Sequence, residues 1–169
     1  HFKETVSGQA DSLLSVVHRA ARHLSTDIAT QSTTKAVNAA PAPSVSLSPA
    51  LEAELSTFVD AWKKSWQDTA TTQSLNHYAS LYSRQFYSEY GRKDYDGWMA
   101  DKARKLRKKQ DISIELGPKG FFWTGGDEYT VTFLQHYRSS DYEDKGLKVL
   151  RLQREAGKWK IVAEEWRNQ

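Results

Sequence analysis

Aromatic residues decide where this chain can build a core. It carries six Trp, eight Tyr and six Phe, and every one except Phe2 lies beyond residue 50. Rings bury a large area per residue, and they matter more here because only 38% of the residues are hydrophobic. The first 50 residues are rich in Ala, Ser and Thr and cannot close a sizeable core by themselves. A chain of 169 residues sets a prior of about one domain, and the aromatics place it in the second part.

The first part still holds one ordered pattern. Ala10, Leu13, Leu14, Val17, Ala20, Ala21, Leu24 and Ile28 form the apolar stripe of an amphipathic helix, with Arg19 and Arg22 opposite. Residues 1–30 are therefore expected to be a helical arm. Residues 31–48 read as a linker, since Pro41-Ala42-Pro43 and the approach to Ser48-Pro49 favour extended backbone. The domain proper spans 49–169. The chain begins at His1 rather than Met, as expected of a processed or excised piece.

Composition excludes several chemistries. With no Cys there can be no disulfide, zinc-thiolate site or Cys nucleophile. A net charge of +3 is too small to imply nucleic acid. No apolar run approaches the roughly 18–20 residues of a membrane span. Nucleophile-elbow, zincin, phosphate-loop and EF-hand signatures are all missing, so no catalytic residue, metal or cofactor is assigned.

From Ser48 onward the periodicity is helical. Ser48 and Pro49 suit an N-cap and first position, and Leu51, Leu55, Phe58, Val59, Trp62 and Trp66 share one face to about Trp66. A second helix is expected over about 72–83, with Tyr78 and Tyr82 on one side. A third begins after Asp94 and presents Tyr95, Trp98, Met99, Lys102 and Leu106. After Gln110 the period falls to 2, predicting strands at 111–116, 121–124, 128–139, 147–154 and 158–167. Turns are expected at 125–127, 141–146 and 155–157. Helices followed by an antiparallel meander give an α+β fold.

The carriers of a family resemblance are Phe58-Val59-Asp60-Ala61-Trp62, Tyr78-Ala79-Ser80-Leu81-Tyr82, Phe86, Trp98, the run Val131 to Ser139, Tyr142, Gly146, Lys148, Leu150 and Trp159-Lys160-Ile161-Val162. Together they resemble the NTF2-like (SnoaL-like) superfamily, a cone of three helices on a curved antiparallel sheet. The resemblance is nearest to the accessory domains of bacterial L,D-transpeptidase and L,D-carboxypeptidase cell-wall proteins. It implies an exported, periplasmic or cell-envelope protein. Enzymes of this superfold place an Asp or His base inside the cone, but fold alone does not assign function.

Strand alternation puts Val131, Phe133, Gln135 and Tyr137 on the inner face, with Lys148, Leu150 and Leu152 beside them. Gln135, Tyr137 and Lys148 are then candidate ligand contacts, walled by Tyr78, Tyr82 and Trp98. An inward Gln and Lys carry a desolvation cost unless they are paired or face a wet cavity. Glu165, which shares the face of Ile161 under strict alternation, joins these candidate ligand contacts and is the best remaining candidate for an inward carboxylate. Lys102, Arg104, Lys105, Arg107, Lys108 and Lys109 form a basic run at a helix end, suited to the macrodipole or to an anionic polymer. Histidines at 77 and 136 are expected on outer surfaces.

These readings lead to a non-catalytic binding module that recognises a peptidoglycan fragment or similar polar ligand. An isomerase- or dehydratase-type enzyme is the alternative. A third reading is an assembly module, pairing as a homodimer or with a partner protein through the outer sheet face or the 10–28 helix. Nucleic acid is disfavoured, because no Tyr interleaves the basic run.

Overall fold

A computed structural model describes residues 46–168 apart from 90, 108 and 110. The expected helix over 10–28 and the linker up to residue 45 lie outside the described residues. The first helix, α1, runs Pro49–Thr72. Ser48 caps it by accepting from the Leu51 amide at 3.3 Å, and Glu52 sits in the positive first turn. It continues past Trp66 because small polar residues extend its buried face. The hydroxyls of Ser65 and Thr69 donate back to the Trp62 and Trp66 carbonyls at 2.7 and 2.6 Å, so neither is buried without a partner. Gln73 then adopts a left-handed conformation (φ 51°) and ends the helix.

The second helix is much shorter than expected. Only Asn76–Ser80, α2, is helical, because the next residues are claimed by a sheet edge. The Ile161 amide donates to the Leu81 carbonyl and the Ser83 amide donates to the Ile161 carbonyl, both at 2.9 Å. A small antiparallel pair follows, β1 (Tyr87–Ser88) with β2 (Lys93–Asp94). Helix α3, Tyr95–Leu106, starts at Asp94, whose carboxylate accepts from the Gly97 amide at 2.9 Å.

Five strands make the main sheet: β3 (Ser113–Leu116), β4 (Gly120–Gly125), β5 (Glu128–Ser139), β6 (Tyr142–Glu155) and β7 (Lys158–Asn168). The path is β3-β5-β6-β7, with β4 also pairing β5. Gly117-Pro118 thus interrupts what is in effect one broken edge. Ser139 pairs with Tyr142, so the turn occupies only 140–141, and 142–146 belong to β6 rather than to a loop. The β6–β7 turn is Ala156-Gly157, both at positive φ (48° and 77°), which matches the twist of a tight hairpin.

Helix α1 lays Leu55, Val59 and Trp62 on the inner face of the sheet, where Val131, Phe133, Leu150, Leu152 and Ile161 are almost fully buried. The Trp62 and Phe133 rings are 6.0 Å apart. An α+β cone on a curved antiparallel sheet is the result. Among the described residues no helix is long and apolar enough to cross a membrane.

Trp62 is 2% exposed, so Trp62→Ala should cost about 3–5 kcal/mol of folding free energy, as large buried rings do. Lys158→Ala, at the exposed start of β7, should stay within about 0.5 kcal/mol. Urea unfolding midpoints compare the two, and equal midpoints would take Trp62 out of the core.

Candidate ligand cavity

A bulge in β7 determines which acid enters the cone. Arg151 pairs with Ala163 but Leu152 pairs with Ile161, leaving Val162 as an extra residue. Beyond it the alternation is reversed, so Glu164 pairs with inward Leu150 and Trp166 with inward Lys148. Glu165 pairs instead with Val149 and bonds Arg167 on the other face. The strict alternation expected from sequence is broken here, and the inward carboxylate is Glu164 rather than Glu165.

Glu164 is 1% exposed and is completely engaged. One carboxylate oxygen takes the Lys148 ammonium. The other accepts from the Tyr82 hydroxyl at 2.6 Å. Tyr82 in turn bonds the Tyr78 hydroxyl and accepts the Trp62 indole N–H at 2.9 Å. Burial would push the Glu164 carboxyl up, but Lys148 and Lys102 pull it below the usual carboxylate range. Both tyrosines are held well above the usual phenol range, first by burial and then by the Glu164 charge. At neutral pH this network holds an ionised acid and two protonated phenols.

Above it lies a cavity of about 340 Å³ between α1, α3 and strands β5 to β7. Trp62, Trp66, Tyr78, Trp98, Tyr137, Tyr142 and Trp166 supply its rings. Helix α3 contributes Trp98, Asp101, Lys102 and Lys105 at i, i+3, i+4 and i+7, one face of the helix. Asp101 gathers three cations: Lys93 at 3.2 Å, Arg104 at 2.5 Å and Lys105 at 2.9 Å. Partial burial alone would raise its pKa, and these bonds instead hold it far below the usual range. Lys109 reaches Asp141 at 2.5 Å. Lys102 is flanked by the Trp66 and Trp98 rings, each centroid 4.6 Å from its Nζ. Burial lowers its pKa to about 8, with Glu164 acting against that and Lys148 adding to it.

Five lysines (93, 102, 105, 109 and 148) therefore meet three carboxylates (Asp101, Asp144 and Glu164) in the lining. Two buried groups in the same lining have no hydrogen-bond partner among the described residues, the Gln135 Oε1 acceptor and the Trp98 Nε1 donor. Leaving such groups unpaired costs about 1–3 kcal/mol each, and a ligand can recover it. Among the described residues no three His, Cys, Asp or Glu side chains converge as metal ligands.

The family model for the Cds6 C-terminal NTF2-like domain matches residues 54–165. The chain belongs to that family. Bd1075 of Bdellovibrio bacteriovorus is 25% identical with a TM-score of 0.63, the match covering 73% of this chain and 44% of that one. The helical cell shape determining protein Pgp2 of Campylobacter jejuni is also 25% identical, at a TM-score of 0.52 over 69% of this chain and 39% of its own. An NTF2-like protein of Pseudomonas putida, at 15% identity, TM-score 0.60 and coverage of 72% of this chain and 88% of its own, shows the shared fold. The chain thus spans less than half of Bd1075 and Pgp2. No curated protein matches it.

Within this NTF2-like domain, Tyr78, Trp98, Gln135, Tyr137 and Lys148 all line the one cavity. Tyr82 stands behind the wall as a hydrogen-bond relay. Lys148 is a lining residue but not a free cation, because its charge is committed to Glu164. The basic run divides. Lys102, Lys105 and Lys109 face the cavity, Arg104 and Arg107 do not, and residue 108 lies outside the described residues. His77 is exposed, and His136 bonds Glu143 on the outer face. Lys93, Asp101, Asp144, Glu164 and Trp166 are cavity residues that the sequence reading missed. The helical spacing of 98, 101, 102 and 105 was the available signal for Asp101; the bulge hid Glu164.

Gly146 shapes the rim. A Cβ there would stand 2.3 Å from the Arg167 carbonyl oxygen and 2.9 Å from the Trp166 ring. Gly146→Ala should therefore destabilise by about 1–3 kcal/mol, as overpacking does, and shift the Trp166 resonance. A silent substitution would contradict the close approach of β6 and β7.

Removing Lys148 tests the ion pair. The Glu164 carboxyl titrates lower when folded than when unfolded, so its stabilisation is present above the ordinary carboxylate range. It is lost as pH falls through the depressed folded value. Lys148→Met should cost about 3–5 kcal/mol at neutral pH by stranding a buried charge. The deficit should narrow as acid protonates Glu164, and Lys148→Met combined with Glu164→Leu should recover most of it. Urea unfolding at pH 7 and at about pH 3, below the ordinary carboxylate range, measures both, and a pH-independent deficit would refute the pairing.

Proposed function

We propose that this domain is a non-catalytic accessory module of a bacterial cell-envelope protein, and that its cone cavity binds a peptidoglycan fragment or a similar polar, anionic ligand. The carrying observation is the cavity lining: aromatic walls, an excess of lysines, and two buried polar groups that lack partners. Muropeptides combine sugars and aliphatic stems for the rings, amides for Gln135 and carboxylates for the cations. Likeness to a cell shape determining protein supports an envelope setting. So does the resemblance to the accessory domains of L,D-transpeptidase proteins, which implies export to the periplasm. Any wall-cutting or cross-linking would then belong to another part of a longer protein or to a partner.

The inward acid does not favour the enzyme alternative. A general base needs a free carboxylate within reach of its proton, whereas Glu164 is ionised, paired with Lys148 and capped by Tyr82. Raised phenol pKa values make Tyr78 and Tyr82 poor proton donors as well.

Titrating the chain with soluble disaccharide-peptides while following amide resonances tests this reading. Saturable shifts are expected at Trp98, Lys102, Lys105, Gln135, Lys148 and Glu164. Shifts confined to the Arg104 and Arg107 side, or none at all, would overturn it.

A further inference from the structure

Lys102 differs from the other cations of the cavity. Lys93 and Lys105 are tied to Asp101, Lys109 to Asp141 and Lys148 to Glu164. No carboxylate among the described residues reaches Lys102 within salt-bridge distance; two indole faces hold it instead. Ring faces position an ammonium and favour its charge without supplying a counter-ion. In the same lining, Gln135 is 8% exposed and its Oε1 has no donor. The cavity therefore presents an ammonium with no carboxylate at bonding distance and an acceptor with no donor.

We propose that Lys102 is the anion-reading residue of this cavity, and that the ligand brings it a free carboxylate carried close to an amide N–H that Gln135 accepts. That pairing belongs to the carboxy-terminal end of a peptide. This rests on the ligand-binding reading above and narrows it: the peptide portion, not the glycan, occupies the space between α3 and β5. One carboxylate oxygen accepts from the Lys102 ammonium. Lys148 stays with Glu164 and serves as part of the wall.

A pH signature follows. The titratable groups that line the cavity with Lys102 are Asp101 and Lys105 on its own helix, Lys109 just beyond it, Lys93 on β2, Tyr78 on α2, Tyr137 on β5, Tyr142, Asp144 and Lys148 on β6, and Glu164 on β7. With those charges in place its pKa is about 8. A carboxylate bound beside it favours the charged form and raises that value. Above pH 8 binding must therefore take up a proton, and affinity should fall by up to about tenfold per pH unit until the bound-state value is passed.

Calorimetric titration of the full chain with a disaccharide-tetrapeptide, and with the same molecule amidated at its carboxylates, tests the proposal. The free acid should bind roughly ten- to a hundredfold more tightly, as expected for a charge-assisted bond. At pH 9 its binding enthalpy should vary with the ionisation enthalpy of the buffer, reporting nearly one proton taken up. Lys102→Met, which keeps the stem between the rings, should abolish both the preference and the proton uptake. Equal affinity for acid and amide, or an unchanged acid affinity in Lys102→Met, would overturn the proposal while leaving the binding module standing. Failure of either molecule to bind would overturn both. Should the variant fold poorly, the acid–amide ratio and the buffer dependence of the unaltered protein decide the matter.

Discussion

Placing a carboxylate and an ammonium at the centre of a small α+β cone costs several kcal/mol per ion, and the surroundings of Glu164 and Lys148 are organised around offsetting it. The pair is nearly dry, with side-chain exposures of 1% and 7%. Attraction across the low-dielectric interior is not sufficient alone; the remaining lone pairs must also be satisfied. Tyr82 fills one, and its own hydroxyl is fixed by Tyr78 and Trp62. Each of these partners comes from a different part of the chain, so the network ties α1, α2, β6 and β7 to one another. It also commits both oxygens of the Glu164 carboxylate, one to Lys148 and one to Tyr82.

Backbone irregularities make that pairing possible. Had β7 run without its bulge at Val162, Glu164 would have faced the outer side of the sheet. The same strand would be an open edge without the 81–83 segment, which bonds Ile161 on both its amide and its carbonyl. That contact shortens α2 to one turn and a half and sets Tyr82 over the pair. Ser88 adds a hydroxyl bond to the Glu164 carbonyl at 2.7 Å. Gly146 lets β6 and β7 approach where a side chain would not fit. Edge protection, bulge and glycine are thus three local devices with one consequence, the position of the Glu164 carboxylate and the Trp166 ring.

Polarity changes along the cavity from floor to mouth. The floor is neutralised by the ion pair. Its middle is aromatic, with Lys102 held between indoles. At the mouth, Lys105 is half exposed and Asp101 collects the neighbouring cations, so a strong positive field is moderated instead of left open. The outer sheet face keeps Phe122 and Leu134 partly exposed, at 37% and 45%. That is the surface on which the sequence reading placed a partner.

Sequence alone determined what depends on local periodicity and local caps. Ser48, Pro49 and Asp94 mark helix starts; alternation on β5 and β6 places Gln135, Tyr137 and Lys148 inward; and the aromatic distribution locates the core. These are one-dimensional signals, because each rests on neighbours a few residues away. The tertiary structure decided the rest. A β-bulge leaves no local mark in Lys160 to Trp166, since the extra residue is defined only by its partner strand, and so Glu165 looked inward when Glu164 is. The end of α2 depended on a sheet edge some eighty residues ahead. The basic run of α3 looked uniform until Trp66 from another helix separated Lys102 from the solvated arginines. Whether a charge is free or paired is a property of distance in space, and spacing along the chain does not contain it.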